Sequence, residues 1–394
     1  MPYDPNDPAV MACPFDAYRD LRRECPVAAV EANPSYHVLS RYDDVLEVLR
    51  RPQLWVNRNG HGPGYLRRPG ATLAYIDAPD HTRQRRHVQR AFTPSVVARL
   101  EPEVERLAHG LVDRFVDDGH GDLHELFSYP LPVVVIARLL GVPEDLHETF
   151  KRWSDDALAR LASGDPSSYR RSAEEFDAFF REQLADRRRI AAAGGTMPAD
   201  LLSGLVEAEQ EDEGGLTEAE LLPTIGQLLV AGNETTTSLL NSMVVRLCER
   251  PELLAAVRAD PGLDAAVVEE SLRFDPPVLG LWRTNDEPVV VHGVSIPQDS
   301  KVQVLFASAN RDESVFDDPD AYRLDRGEAA WRRHLAFGFG PHVCLGAPLA
   351  RLEARVGLRV LLDRLPGLRL TGQPERIPTF FLWGFRHTPV AWDR

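Results

Sequence analysis

The run Phe337-Gly338-Phe339-Gly340-Pro341-His342-Val343-Cys344-Leu345-Gly346 ends a glycine-rich loop in a cysteine, with Pro348 just beyond it. Glycine admits backbone angles closed to other residues and lets a flat partner approach the chain. Proline is favoured in the first turn of a helix. Cys344 is therefore expected at a helix N-terminus, where the dipole biases a thiol toward thiolate. A thiolate in a rigid loop suits metal ligation. A nucleophile paired with a distant histidine and a plain buried cysteine in a tight turn are the alternatives. Zinc wants four ligands, or three and water. The chain has no Cys-x-x-Cys pair, and His342 with Cys344 supplies only two ligands.

Three other constellations could do chemistry. Glu270 and Arg273 stand at i, i+3 in an apolar helical stretch that ends at Pro276-Pro277. Exposed, such a pair would be worth little. Ala231-Gly232-Asn233-Glu234-Thr235-Thr236 puts glycine and polar residues between Leu228-Leu229-Val230 and Leu239-Leu240. Glycine and successive threonines are poor helix-interior choices, and polar groups inside a core are costly unless partnered. His81 and Arg85 lie at i, i+4 in HTRQRRHVQR, and Arg283 lies in LWRTND. They read either as solvated basic surface or as carboxylate-binding groups, a task at which arginine excels.

The elements that must position these groups are legible in outline. Tyr36 to Leu39, Val289 to Val291 and Val302 to Leu305 read as strands, the last two around a turn at Pro297–Ser300. Leu100, Val104, Leu107, Leu111 and Phe115 mark an amphipathic helix, and helical spacing dominates from about 100 to 275. Thr217 with Glu220 forms a capping box that opens a helix of over 30 residues, closed by Pro251. On it Gln227, Ala231 and Glu234/Thr235 share a face. A last helix is expected from about Pro348 to Arg364. Gly194-Gly195 and the acidic stretch from Glu209 to Gly215 read as loops, the latter as a solvated linker.

Composition narrows the function. The 394 residues carry 45 basic and 60 acidic side chains, a net charge of −15, which argues against general nucleic-acid binding. No run approaches about 18 apolar residues, so no membrane span is expected. The N-terminus lacks the basic and apolar segments of a signal peptide. Four scattered cysteines form no disulfide framework, and a reducing cytoplasm is the expected home.

Taken in chain order, the polar insertion at Ala231–Thr236, Glu270-x-x-Arg273 and the Phe337–Gly346 loop resemble the cytochrome P450 family. Ala309-Asn310-Arg311-Asp312, Phe316 and Pro319 extend the resemblance, which runs from about residue 36 to the C-terminus. It implies a mainly α fold with small β-sheets, one domain over 1–394. That domain would comprise a mixed, strand-rich part over about 1–80, a helical part over about 81–275 and a haem-ligand region over about 276–394. Cys344 would be the proximal iron ligand of haem b (iron protoporphyrin IX), cradled by Phe337, Gly338 and Gly346. His81, Arg85, Arg283 and His342 would bind its propionates, and Glu270 with Arg273 would be a buried structural brace. Glu234 and Thr235 would be the acid–alcohol pair that manages protons at bound dioxygen.

The implied reaction inserts one atom of O2 into a small or medium hydrophobic substrate, since thiolate ligation favours O–O cleavage. The alternatives are oxidative coupling or desaturation on the same fold, and a non-catalytic haem binder or gas sensor, which the Glu234–Thr235 pair disfavours. No GxGxxG fingerprint is present, so electrons are expected from a separate ferredoxin or flavodoxin and its reductase. Residues 323–364 carry a net +4 and residues 81–99 a net +5, which predicts a basic face for an acidic donor. The pocket is expected to include Gln227, Val230, Ala231, Leu279, Leu281, Phe381 and Leu382. If Arg283 points to the haem, strand alternation turns Leu281 and Leu279 the same way and Trp282 away. The lack of an anchor resembles the soluble bacterial branch. Tailoring of secondary metabolites and catabolism of a small hydrophobic compound both fit.

Overall fold

The structure, a computed structural model, describes residues 3–65, 72–163, 170–211 and 214–394, with the backbone alone over 158–163. Helices pack around one of 31 residues, Glu218–Cys248, about 46 Å long at 1.5 Å per residue. Its start is set by the expected capping box: the Thr217 N–H donates to the Glu220 carboxylate at 2.8 Å. Its end is set by Pro251, which opens the next helix, Pro251–Ala259. Leu239, Leu240, Met243, Val244 and Leu247 are buried where helices Pro130–Leu139, Asp264–Phe274 and Ala347–Arg364 close on the central one. Burial of large aliphatic side chains along this axis is the main favourable term, roughly 1.5–3 kcal/mol for each.

A five-stranded sheet flanks the helices in the order Val27–Val30, Tyr36–Leu39, Lys301–Val304, Leu281–Asn285, Trp55–Val56. The Tyr36–Leu39 and Lys301–Val304 strands run parallel, Tyr36 opposite Lys301. Leu281–Asn285 runs antiparallel to Lys301–Val304, with Arg283 opposite Val302. Strands from the first 60 residues thus share one sheet with strands from beyond residue 280, and the two ends of the chain cannot separate.

The N-terminal part is less strand-rich than expected. It also holds helices Phe15–Glu24 and Tyr42–Arg50. The second shows the helical spacing Tyr42, Val45, Leu46, Leu49, all buried, which the surrounding proline and glycine obscured. The acidic stretch is no simple solvated linker either: Glu209 pairs with Arg188 and Glu211 with Arg90, while residues 212 and 213 lie outside the described ones. Among the described residues no helix is long and apolar enough to cross a membrane.

Helix Ala347–Arg364 buries a carboxyl without a full set of partners. Glu353 is 4 % exposed and its Oε2 has no hydrogen bond. Burial pushes its pKa from 4.5 up to about 8. The folded state therefore holds a proton that the unfolded chain releases near 4.5, and stability falls as pH climbs between these values. Glu353→Gln should raise the melting temperature at pH 8 and change it little at pH 5. The difference corresponds to roughly 3–5 kcal/mol. Thermal melts at the two pH values check this; an equal shift at both would place the Glu353 carboxyl in a polar setting.

Candidate active site

The cysteine loop is held by its own backbone. The Gly338 N–H donates to Leu335 O at 2.8 Å, and the Cys344 N–H donates to Phe337 O at 2.8 Å. Gly338 and Gly340 have φ of 70° and 74°, angles that favour glycine. A Cβ on Gly340 would also lie 2.5 Å from Leu49 O, whereas one on Gly346 would meet nothing within 4 Å. The loop is therefore pressed against the helix Tyr42–Arg50 on one side and open at its end. Helix Ala347–Arg364 begins there, as expected. Cys344 lies deep in the fold, yet its surface is accessible. The two facts agree if the side chain faces an internal hollow.

The expected thiolate bias is not met by the protein alone. Burial raises the Cys344 thiol, and it outweighs the Gly346 and Ala347 N–H groups and the positive charges of Arg85 and Arg351 that act the other way. A positive charge added beside the sulfur would favour the thiolate.

Beside the loop, two histidines and two arginines converge, and the charge of Asp77 reaches His81 and Arg283. The His81 and His342 rings lie 3.9 Å apart, and Arg85 donates to Val343 O at 2.7 Å. Arg283 is 6 % exposed. Its Nη1 donates to Trp282 O at 2.8 Å, and it has no carboxylate partner among the described residues. Burial lowers the pKa of Arg283 to about 10 and, with help from neighbouring positive groups, that of His81 to about 4 and His342 to about 2. Lys301, fully buried, belongs to the same group. Its Nζ donates to Asn59 O at 2.8 Å and Gly60 O at 2.7 Å, and burial together with Arg283 lowers its pKa to about 8. Sequence reasoning missed Lys301, although a lysine inside the apolar strand Lys301–Val304 was a signal.

The central helix runs unbroken through Ala231–Thr236, because the Thr235 hydroxyl is satisfied locally, donating to Ala231 O at 3.0 Å. Ala231 is exposed between the buried Leu229 and Asn233, which leaves open space on that face. Glu234 turns toward helix His147–Ser163: burial, then the charge of Asp155, raises its carboxyl. Gln227 spends its amide on the neighbouring segment. Oriented to satisfy both sides, its Nε2 donates to Thr72 Oγ1 and O at 3.2 and 3.1 Å, and its Oε1 accepts from the Ala74 N–H at 3.3 Å.

Val230, Leu281, Phe381 and Leu382 are half-buried, and Leu382 pairs with Val278 in an isolated bridge. Leu279, in contrast, packs in the same cluster as Trp282. The expected alternation stops at Gly280, which precedes the strand and presses against Val304 O, where a Cβ would come within 2.5 Å.

The Glu270–Arg273 pair is fully buried, at 0 % exposure for both. Arg273 Nε and Nη2 donate to Glu270 at 3.0 and 2.7 Å. Arg273 also donates to the carbonyls of Asn310, Pro319 and Ala321. Glu270 further accepts from the Arg323 N–H, Arg326 Nε and Trp331 Nε1. The adjacent Glu269 binds His334 and Arg351, on either side of the cysteine loop, and Arg351 lies over the Phe337 ring at 4.6 Å.

A family model described as Cytochrome P450 matches residues 14–260 and 263–380. The chain belongs to the cytochrome P450 family. It is 38 % identical to the cytochrome P450 monooxygenase PikC of Streptomyces venezuelae, over 97 % of this chain and 92 % of that one. Among solved structures, cytochrome P450 CYP109Q5 from Chondromyces apiculatus matches with a TM-score of 0.88 at 38 % identity, covering 99 % of this chain and 98 % of that one. CYP109E1 from Bacillus megaterium, in complex with testosterone, matches with a TM-score of 0.86 at 31 % identity, covering 97 % of this chain and 99 % of that one. The mainly helical P450 fold with small sheets is thus shown, and the protein is an enzyme of the P450 monooxygenase class.

A P450 carries haem, and the residues present fit one. The accessible cysteine, the open face at Gly346 and the arginines without ion pairs suit an iron held in a flat ring with carboxylate arms. Among the described residues no three His, Cys, Asp or Glu side chains cluster as a metal site, so a zinc centre finds no ligand set here.

The brace beneath this P450 site is testable by itself. Glu270→Gln keeps the shape but leaves Arg273 and Arg326 buried without a counter-charge. We expect a loss of about 3–5 kcal/mol, read from urea unfolding, together with poor haem retention. Wild-type stability in this variant would mean the pair is dispensable.

Proposed function

We propose that this P450 binds haem b through Cys344 and inserts one oxygen atom from O2 into a small or medium hydrophobic molecule. The observation that carries this reading is the cluster of the buried His81 and Arg283 with the half-buried Arg85 and His342, in which neither arginine has an ion pair among the described residues, beside an accessible Cys344. Two propionates would supply the missing charge, with Lys301 fixing the Asn59–Gly60 backbone beneath them. Phe337, Gly338 and Gly346 would form the cradle. Thiolate-bound haem supplies the chemistry of dioxygen cleavage.

The protein's own groups hold and move protons. Glu234 keeps its proton nearer neutrality than an exposed glutamate, because burial and Asp155 oppose its charge. The Thr235 hydroxyl rests on Ala231 O; rotated about χ1, it presents a donor to the open space beside Ala231. Proton delivery by a placed side chain is worth about 10²–10⁴-fold. The pocket would be walled by Leu228, Val230, Ala231, Leu281, Phe381 and Leu382, with the Gln227 amide already engaged. The testosterone held by a relative of the same fold supports an apolar substrate of medium size.

Bacterial P450s use redox partners and oxygen, and for this chain we assign a ferredoxin or flavodoxin with its reductase, in the cytoplasm. The basic face for that donor is narrower than segment charges suggested. Arg351, Arg355, Arg359 and Arg364 pair with Glu269, Glu101, Asp264 and Asp113, all from outside the counted segment. Arg83 and Arg90 pair with Glu220 and Glu211. Arg99 and Arg333 stay free of ion pairs among the described residues.

Two measurements test the reading. The reduced, carbon-monoxide-bound spectrum of Cys344→Ser should lose its thiolate band, while changes at Cys13, Cys25 and Cys248 leave it intact; an unaltered Cys344→Ser spectrum refutes the ligand. Thr235→Ala should bind substrate, as seen by spin-state shift, but divert reducing equivalents to peroxide. Full coupling in that variant would remove Thr235 from proton delivery.

A further inference from the structure

Asn233, Thr237 and Asn241 recur at four-residue spacing on the central helix, each fully buried, and so form one stripe. The helix packs here against the turn His124–Ser128 and helix His147–Ser163. Asn233 Nδ2 donates to Ser154 Oγ. Asn241 Nδ2 donates to Phe385 O at 3.0 Å and lies 3.2 Å from His124 Nδ1. The seam is only partly satisfied: Asn233 Oδ1, Thr237 Oγ1, Asn241 Oδ1 and Ser128 Oγ have no partner. Buried polar atoms in such a position recruit ordered water.

A second, independent feature lies at the solvent end. His124–Ser128 is a π-helical turn, closed by the Tyr129 N–H on His124 O at 3.0 Å; such turns concentrate at functional sites. The turn presents Tyr129, whose hydroxyl donates to Asp155 Oδ1. Lys151 Nζ donates to Asp155 Oδ2 at 3.0 Å, and the Asp155 side chain is 44 % exposed. The Asn233–Ser154 bond joins the two helices one residue before Glu234 and Asp155, and the charge of Asp155 reaches Glu234. Glu234 has no hydrogen-bond or ion-pair partner among the described residues. The titratable groups whose charge reaches it are Asp155 and Tyr129.

We propose that this seam holds ordered water and brings protons from bulk solvent to Glu234, with Asp155 as its solvent-side carboxylate. The proposal rests on the role given above to Glu234 and Thr235. Asp155 takes a proton from bulk water and hands it through the seam to Glu234, returning to carboxylate. Glu234 accepts it only after passing its own proton toward Thr235, so one proton enters for each that leaves and no electron moves. Asp155 acts through Glu234 and is a positioning and relay residue. The raised carboxyl of Glu234 suits a group that must hold a proton until it is drawn off.

The test uses the holoenzyme without substrate, reduced by a surrogate plant-type ferredoxin and reductase. Under these conditions O2, two electrons and two protons give hydrogen peroxide. Asp155→Asn should slow peroxide formation by about tenfold and enlarge the solvent isotope effect, with haem content and the thiolate spectrum unchanged. Asp155→Glu should restore both. Infrared titration of the Glu234 carboxyl band in the resting protein, assigned with Glu234→Gln, should show its midpoint falling in Asp155→Asn. If Glu234→Gln slows peroxide formation and Asp155→Asn leaves rate, isotope effect and midpoint at wild-type values, the relay is overturned and the acid–alcohol reading stands. If neither variant changes the rate, that reading fails and the relay with it.

Discussion

A buried charge tolerates no vacancy among its partners, and the Glu270–Arg273 pair meets that demand by reaching into distant segments. Glu270 accepts five hydrogen bonds, from Arg273 twice and from Arg323, Arg326 and Trp331. Arg273 reaches three backbone carbonyls between residues 310 and 321. Removing water from two ions costs several kcal/mol each, and only this complete set offsets it. The irregular stretch leading to the cysteine loop thereby becomes the outer shell of one ion pair. Glu269 grips the loop from both sides through His334 and Arg351, and Asn310 Oδ1 accepts the Leu335 N–H at 2.6 Å. The position of Cys344 follows from these bonds more than from any apolar contact of its own.

The region those bonds define is the least self-sufficient part of the molecule. Arg283, Lys301 and His81 are buried and His342 is half-buried, all with lowered pKa values, and the Cys344 thiol is raised. The largest cause of each shift is the same: burial in a low dielectric, which disfavours the charged form. A ligand with an iron centre and two carboxylates answers all of them together. Its binding free energy would add to folding stability by mass action. With haem held there, stability and haem occupancy would be coupled, as the strain concentrated at functional sites would lead one to expect.

The central helix itself follows a different rule. There, polar residues are set into a tightly packed helix, and several find a partner: Thr235 on Ala231 O within the helix, Asn233 on Ser154 and Asn241 on Phe385 O across it, while the Thr237 hydroxyl has none. The capacity left over is what makes the seam beside Glu234 receptive to water. Charge on the exterior is handled in a third way, by ion pairs that neutralise Arg351, Arg355, Arg359 and Arg364 along helix Ala347–Arg364.

Local signals sufficed wherever the physics is local. The glycine spacing around Cys344, the capping box at Thr217 and Glu220, the stop at Pro251 and the run of the last helix could all be read from neighbouring residues, because turn geometry and caps depend on side chains a few positions apart. The order of the motifs along the chain carried the family and, with it, the fold. What needed tertiary structure was everything that depends on who stands opposite. Whether Arg351 is a free charge or half of a pair with Glu269, or whether Gln227 faces a ligand or clamps Thr72, is settled by residues far off in sequence. The thiol of Cys344 was expected to ionise easily because a helix terminus is visible locally, but the burial that overrides it is a property of the whole fold. Lys301 and the Asn233–Thr237–Asn241 stripe went unread for the same reason: a polar residue in an apolar element acquires a meaning only when long-range packing decides which groups, and how much water, can reach it.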